Sequence, residues 1–171
     1  MKILVAGIGN IFLGDDAFGV EVVQRFSAMP LPPGVTVADF GIRSYDLAYA
    51  MMDGYDVTIL LDATPQGQPP GTVSLIEPDV IGLGASEGET IDAHSMNPVR
   101  VLQMVSSLGG HPGRLYLIGC EPGILEAEAG RLGLSAPVEA AIPHAIEMLQ
   151  TLLHELLNDN KTADHASVEG G

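Results

Sequence analysis

Short runs of apolar, β-prone residues alternate along this chain with stretches of helical period, and that alternation restricts it to a sheet crossed by helices. Residues 2–6 read as a first buried strand, followed by a glycine-rich loop over 7–15. A helix is expected from about 16 to 28, with Phe18, Val22, Val23 and Phe26 on one side, and it is broken by Pro30, Pro32, Pro33 and Gly34. A second strand over 35–40 and a short helix over 45–52 follow, then the most apolar strand, 57–61, which ends at Asp62. Residues 72–76 are expected to form a strand reached without a helix, and so an antiparallel one. The segment 77–92 reads as a polar, mobile loop, 98–108 as a helix, 114–119 as the last strand and 137–157 as a long terminal helix. Segment 121–134 carries no regular pattern.

These elements predict an α/β fold: a single three-layer domain over 1–157, with a twisted, mostly parallel five-stranded sheet and helices on both faces. A flexible tail is expected over 158–171, where apolar periodicity stops. Right-handed crossovers favour the strand order 2-1-3, which sets the first and third strands side by side. The crevice at their carboxyl ends is then the expected ligand site.

Composition excludes several classes of partner. Of 171 residues, 46% are hydrophobic, enough for one sizeable core. Seven Lys and Arg face 22 Asp and Glu, a net charge of -15, so no basic surface can be assembled for nucleic acid or for an anionic membrane. The amino-terminal apolar run is too short for a signal peptide, and no run approaches the roughly 20 residues of a membrane span. The lone Cys120 cannot form an internal disulfide and reads as a small core residue at a strand end. A cytoplasmic protein, and a monomer, is the expectation.

Three residues from remote parts of the chain fall at the predicted crevice: Asp16 at the start of the first helix, Asp62 at the end of the third strand, and His94 ahead of the third helix. Two carboxylates and an imidazole make a donor set that suits Ni²⁺, Zn²⁺ or Mn²⁺. Each also has an ordinary reading. Asp15 and Asp16 complement a helix amino end, Asp62 satisfies the following loop, and His94 stands near a helix cap. Taken together, two acids at one helix start and a third at the neighbouring strand end repel one another, and a cation would relieve them.

Other motifs are weaker. Gly7-Ile8-Gly9 with Gly14 lies between a strand and a helix, and Asp39 ends the second strand, as in a dinucleotide site. The glycine spacing is wrong for that fingerprint, and Asp15 and Asp16 occupy the helix end where a pyrophosphate would dock. Gly84-Ala85-Ser86-Glu87-Gly88 has the letters of a nucleophile elbow without the flanking strand and helix. His111, His144, His154 and His165 read as turn or solvated residues. No paired-histidine or paired-cysteine zinc motif is present in the sequence.

The segment from Gly7 to Val20, with its Gly-Asp-Asp-Ala-Phe-Gly-Val ending, resembles the opening of hydrogenase maturation endopeptidases. Leu60-Leu61-Asp62-Ala63, His94, Gly119-Cys120-Glu121-Pro122 and Leu134-Ser135 resemble the family's later marks, so the likeness covers about residues 2–157. It implies an endopeptidase that removes the C-terminal extension of a nickel–iron hydrogenase large-subunit precursor after nickel insertion. The nickel would be borne by the substrate and would meet Asp16, Asp62 and His94, with Asp16, then Asp62, as the candidate general base. Asp39, Gly41 and Arg43 are candidates for a substrate loop, because Asp39-Phe40-Gly41-Ile42-Arg43 departs from the family's more usual Asp-Gly-Gly-Thr. The first site acid, often glutamate in relatives, is the shorter Asp16 here. A non-catalytic nickel-binding or chaperone module with the same three residues, and a dinucleotide-binding domain, are the rival readings.

Overall fold

A computed structural model describes residues 1–78, 98–111, 113–125 and 133–168, with the side chains at 98, 99 and 160–168 left aside. The segment that holds His94, and the one that holds the Gly84–Gly88 letters, lie outside the described residues. Five strands, β1 (Ile3–Ile8), β2 (Val35–Gly41), β3 (Val57–Ala63), β4 (Val73–Ile76) and β5 (Arg114–Cys120), form one sheet in the order β2-β1-β3-β5-β4. The first four in that order run parallel, and β4 closes the edge antiparallel to β5. Both the adjacency of the first and third strands and the antiparallel strand follow the expectation from sequence.

Side-chain alternation along the strands divides the core into two. Ile3, Val5, Ile59, Leu61, Tyr116 and Ile118 face helix α1 (Phe18–Ser27) and helix α4 (Ala136–Val168). Leu4, Ala6, Leu60, Leu115 and Leu117 face helix α2 (Ser44–Met51) and helix α3 (Pro98–Ser107). Strand β3 is buried along its whole length, as a central parallel strand covered on both faces must be. Phe18 and Phe26 bury their rings completely or nearly so under α1, each contributing roughly 1.5–3 kcal/mol. Among the described residues no helix is long and apolar enough to cross a membrane.

Helix α4 continues to Val168, past its expected end at Leu157. The core contacts do stop near Leu156 and Leu157. Beyond them neither Pro nor Gly intervenes before Gly170, so an established helix propagates at little cost without a buried face.

Small residues set how closely α1 approaches the sheet. A methyl group on Gly19 would sit 1.9 Å from the Leu61 carbonyl oxygen, so the first turn of α1 lies directly on β3 beside the residue that precedes Asp62. That contact brings the loop after β1 and the end of β3 to one place.

Candidate functional site

The loop after β1 closes in a 3-10 turn, Gly14–Ala17, and only then does α1 begin, so Asp16 lies inside this turn rather than opening a regular helix. The turn is folded back tightly. Gly9 has φ +129°, and a methyl group there would lie 1.8 Å from the Asp16 carbonyl oxygen, a position only glycine tolerates. The Asn10 N–H donates to Asp16 Oδ2 at 2.6 Å, and the Asn10 side-chain oxygen accepts the Phe12 N–H at 3.0 Å.

Asp62 stands at the carboxyl end of β3, paired in register with Gly119, and is 7% exposed. Burial pushes its carboxyl well above the ordinary carboxylate range, and the charge of Asp16 pushes it the same way; the Ala63 N–H offsets part of this. Asp16, half-buried, is raised too, first by burial, with the Asn10 N–H opposing. The two acids that sequence places at the crevice are therefore close enough to feel each other's charge. Among the described residues neither forms an ion pair with Lys, Arg or His.

Asp15 is not part of that repulsion. Its carboxylate turns inward, fully buried, and accepts hydrogen bonds from the Gly123 and Ile124 N–H groups and the Ser135 hydroxyl at Oδ2, 2.8 Å each, and from the Ser135 N–H at Oδ1, 2.6 Å. Burial alone would raise its carboxyl, but these donors together outweigh burial and hold it below the ordinary range. The expected cluster of three mutually repelling acids thus reduces to two, and the third is compensated by backbone amides. No sequence signal announces a socket made mostly of main-chain N–H groups more than a hundred residues away.

The substrate-loop candidates sit at the neighbouring strand end. The Gly41 carbonyl accepts the Gly9 N–H at 3.0 Å, which ties the end of β2 to the site loop. Asp39 is approached at 3.5 Å by the Gln24 side-chain amide. Arg43 bends back onto its own turn: its Nε donates to the Phe40 carbonyl at 3.1 Å and its guanidinium also reaches the Asp39 carbonyl. As placed, Arg43 braces the turn and does not reach the acids.

Among the described residues no group of three or more His, Cys, Asp or Glu side chains is arranged to hold a metal ion. The described donors that suit one are the two carboxylates, whose shared burial and like charge fit a cation between them. A phosphate fits poorly. The Gly9, Asn10, Phe12, Leu13, Asp15 and Asp16 amides, which would have to cradle it, all donate within the protein. Cys120 is buried at the end of β5, and burial, with Asp15 and Glu121 nearby, pushes its thiol up to about 11, as suits an inert core residue. His111, His144 and His154 are exposed. A groove of about 570 Å³, lined by Met1, Phe26, Pro32, Leu153 and Leu157 among others, lies at the opposite, amino end of the strands.

The fold and site define a doubly wound α/β protein with two partly compensated carboxylates, Asp16 and Asp62, at the carboxyl ends of its central parallel strands. The family model described as hydrogenase maturation protease matches residues 20–152. The hydrogenase expression/formation protein HupD of Rhizobium leguminosarum bv. viciae is 38% identical over 149 residues, 85% of this chain and 71% of the relative. The hydrogenase 2 maturation protease of Escherichia coli K12 is 32% identical over 157 residues, 91% and 92% of the two chains. The solved structure of the hydrogenase maturating endopeptidase HYBD from Escherichia coli superposes with a TM-score of 0.75 at 33% identity, covering 91% of this chain and 93% of the other. The chain belongs to the hydrogenase maturation protease family and is a peptidase.

Proposed function

We propose that this peptidase removes the C-terminal extension of a nickel–iron hydrogenase large-subunit precursor after nickel insertion, and that the nickel carried by the substrate is its recognition signal. The observation that carries the reading is the Asp16–Asp62 pair: a half-buried and a buried carboxylate, both raised by burial and Asp62 also by the charge of Asp16, with no ion pair to a cation among the described residues. Such a pair is costly alone and favourable around a divalent ion. His94 is proposed as the third donor on sequence grounds; it precedes Pro98, the first residue of α3, which packs on the sheet face to which Asp62 belongs by alternation. Ile11, Phe12, Ile42 and Tyr45 are exposed around the same rim and offer apolar surface to a protein substrate. The free, buried Cys120 fits a reducing compartment, so the proposal is for a cytoplasmic enzyme.

Open coordination positions of the bound nickel would be filled by Asp16, Asp62 and His94, so that only loaded precursor docks productively. A tenfold preference requires only about 1.4 kcal/mol. Asp16 is the better general base. It is less buried than Asp62, and one of its oxygens is held by the Asn10 N–H, which leaves the other for a water molecule. The water attacks the scissile carbonyl carbon, Asp16 takes its proton, and the proton passes to the leaving amine as the peptide bond breaks. Asp62 is the second candidate for that base, and its first part is as a ligand of the nickel.

The test is a mass spectrum of nickel-loaded and nickel-free precursor after incubation with the protein. Loaded precursor should lose a C-terminal peptide and nickel-free precursor should keep its mass. Equal cutting would remove the nickel checkpoint; association without any change in mass would replace the peptidase step with a chaperone role.

A further inference from the structure

Asp15 carries a charge that the peptide-cutting reaction does not use, yet it is bonded more fully than either acid that the reaction does use. Four donors converge on it from the segment between β5 and the start of α4, and its own N–H returns a bond to the Ile124 carbonyl at 2.9 Å. It has no exposed surface and so cannot touch a substrate. Its chain neighbour Asp16 is held from the other side, by the Asn10 N–H at 2.6 Å and by the close packing of Gly9 against its carbonyl. One peptide link separates the two carboxylates within a four-residue turn. A side chain locked at one end of so short a turn fixes the backbone direction at the other, and site geometry within a few tenths of an ångström is what such locking supplies.

We infer that Asp15 is a positioning residue for the peptidase reaction: seated among Gly123, Ile124 and Ser135, it sets where the Asp16 carboxylate stands relative to Asp62. The competing role is plain structural bonding, in which the socket joins β5 and α4 to the β1 loop and leaves the aim of Asp16 unaffected. The activity arm of the test rests on the proposed function; the spectroscopic arm does not.

Two variants carry the test. Asp15→Asn keeps the shape and removes the charge, and Ser135→Ala removes one hydroxyl donor while the three backbone donors remain. Both are assayed well below their melting temperatures, where circular dichroism shows the folded state only. Positioning predicts that kcat for loaded precursor falls about tenfold in Ser135→Ala and about a hundredfold in Asp15→Asn, with KM within about twofold of the parent. In parallel, the Asn10 amide proton, which the Asp16 carboxylate holds downfield, should move upfield in both variants, further in Asp15→Asn. An unmoved Asn10 resonance together with parental kcat in folded Ser135→Ala overturns the inference, including where Asp15→Asn proves unable to fold. If the parent protein cuts no precursor at all, the proposed function fails, and the Asn10 resonance alone decides the positioning role.

Discussion

The socket around Asp15 and the face shared by Asp16 and Asp62 grow from adjacent residues and have opposite electrostatics. In the socket, a fully buried carboxylate meets more donors than it costs to desolvate, and its charge is favoured. On the face, two carboxylates meet each other with one backbone N–H apiece in partial compensation, and their charges are disfavoured. The difference teaches that burial alone does not mark an acid as functional. What separates the two regions is whether the protein supplies the counter-dipoles itself or leaves that task to something it binds.

The sharpest way to break this contrast is Asp62→Asn. Processing should fall by roughly 10²–10⁴-fold, as for loss of a group that acts on the reacting atoms. Thermal stability at pH 7 should nevertheless rise, by about 2–4 °C, the response of a chain this size to about 1 kcal/mol. A melting temperature that drops instead would mean that the charge of Asp62 is already compensated. Next in size, Asp15→Ala should cost about 2–3 kcal/mol in urea unfolding, because the N–H groups of Gly123, Ile124 and Ser135, in part-buried hydrogen bonds, lose their acceptor. A cost below 1 kcal/mol would show that the socket refills with water.

Stability against pH resolves the two regions in one experiment. Asp62 holds its proton more tightly folded than unfolded, so its contribution is fully present below the unfolded carboxylate value of 3.8 and is lost as pH rises through its elevated folded value. Asp15 behaves in the opposite sense: its contribution is present above 3.8 and is lost as pH falls through its depressed folded value. Urea midpoints should therefore rise as pH is lowered through the elevated Asp62 value, and fall again below 3.8. Asp62→Asn should flatten the neutral limb and Asp15→Asn the acid limb. The smallest effect is expected at Asp46, whose contact with Arg43 is 3.8 Å long and exposed on both sides. Asp46→Ala should change stability by no more than about 0.5 kcal/mol, since Arg43 keeps its bonds to the Phe40 and Asp39 carbonyls.

The parts of this molecule legible in its sequence are those written in local periodicity. Apolar runs gave the strands, proline and glycine gave their limits, and crossover handedness put the ends of β1 and β3 together, which is enough to bring Asp16 and Asp62 to one rim. Sequence could not separate Asp15 from Asp16, because both are acids in the same short turn and only tertiary contacts distinguish them. The Gly123 and Ile124 amides that claim Asp15 carry no side-chain signature and belong to a stretch without period. The end of α4 was hidden for the converse reason: a helix needs an apolar stripe to dock, but it needs no stripe to continue. Nor does an arginine beside a turn give a sign in sequence that it will bond its own backbone, as Arg43 does.

The Asp15 socket also orders events during synthesis. Its donors belong to Gly123, Ile124 and Ser135, which are synthesised after all five strands and long after the β1 loop. A nascent chain that stops short of Ser135 holds both acids of the rim but lacks part of the clasp that steadies their turn. With Asp15 in the positioning role inferred above, proteolytic competence would arrive only with the docking of the final helix.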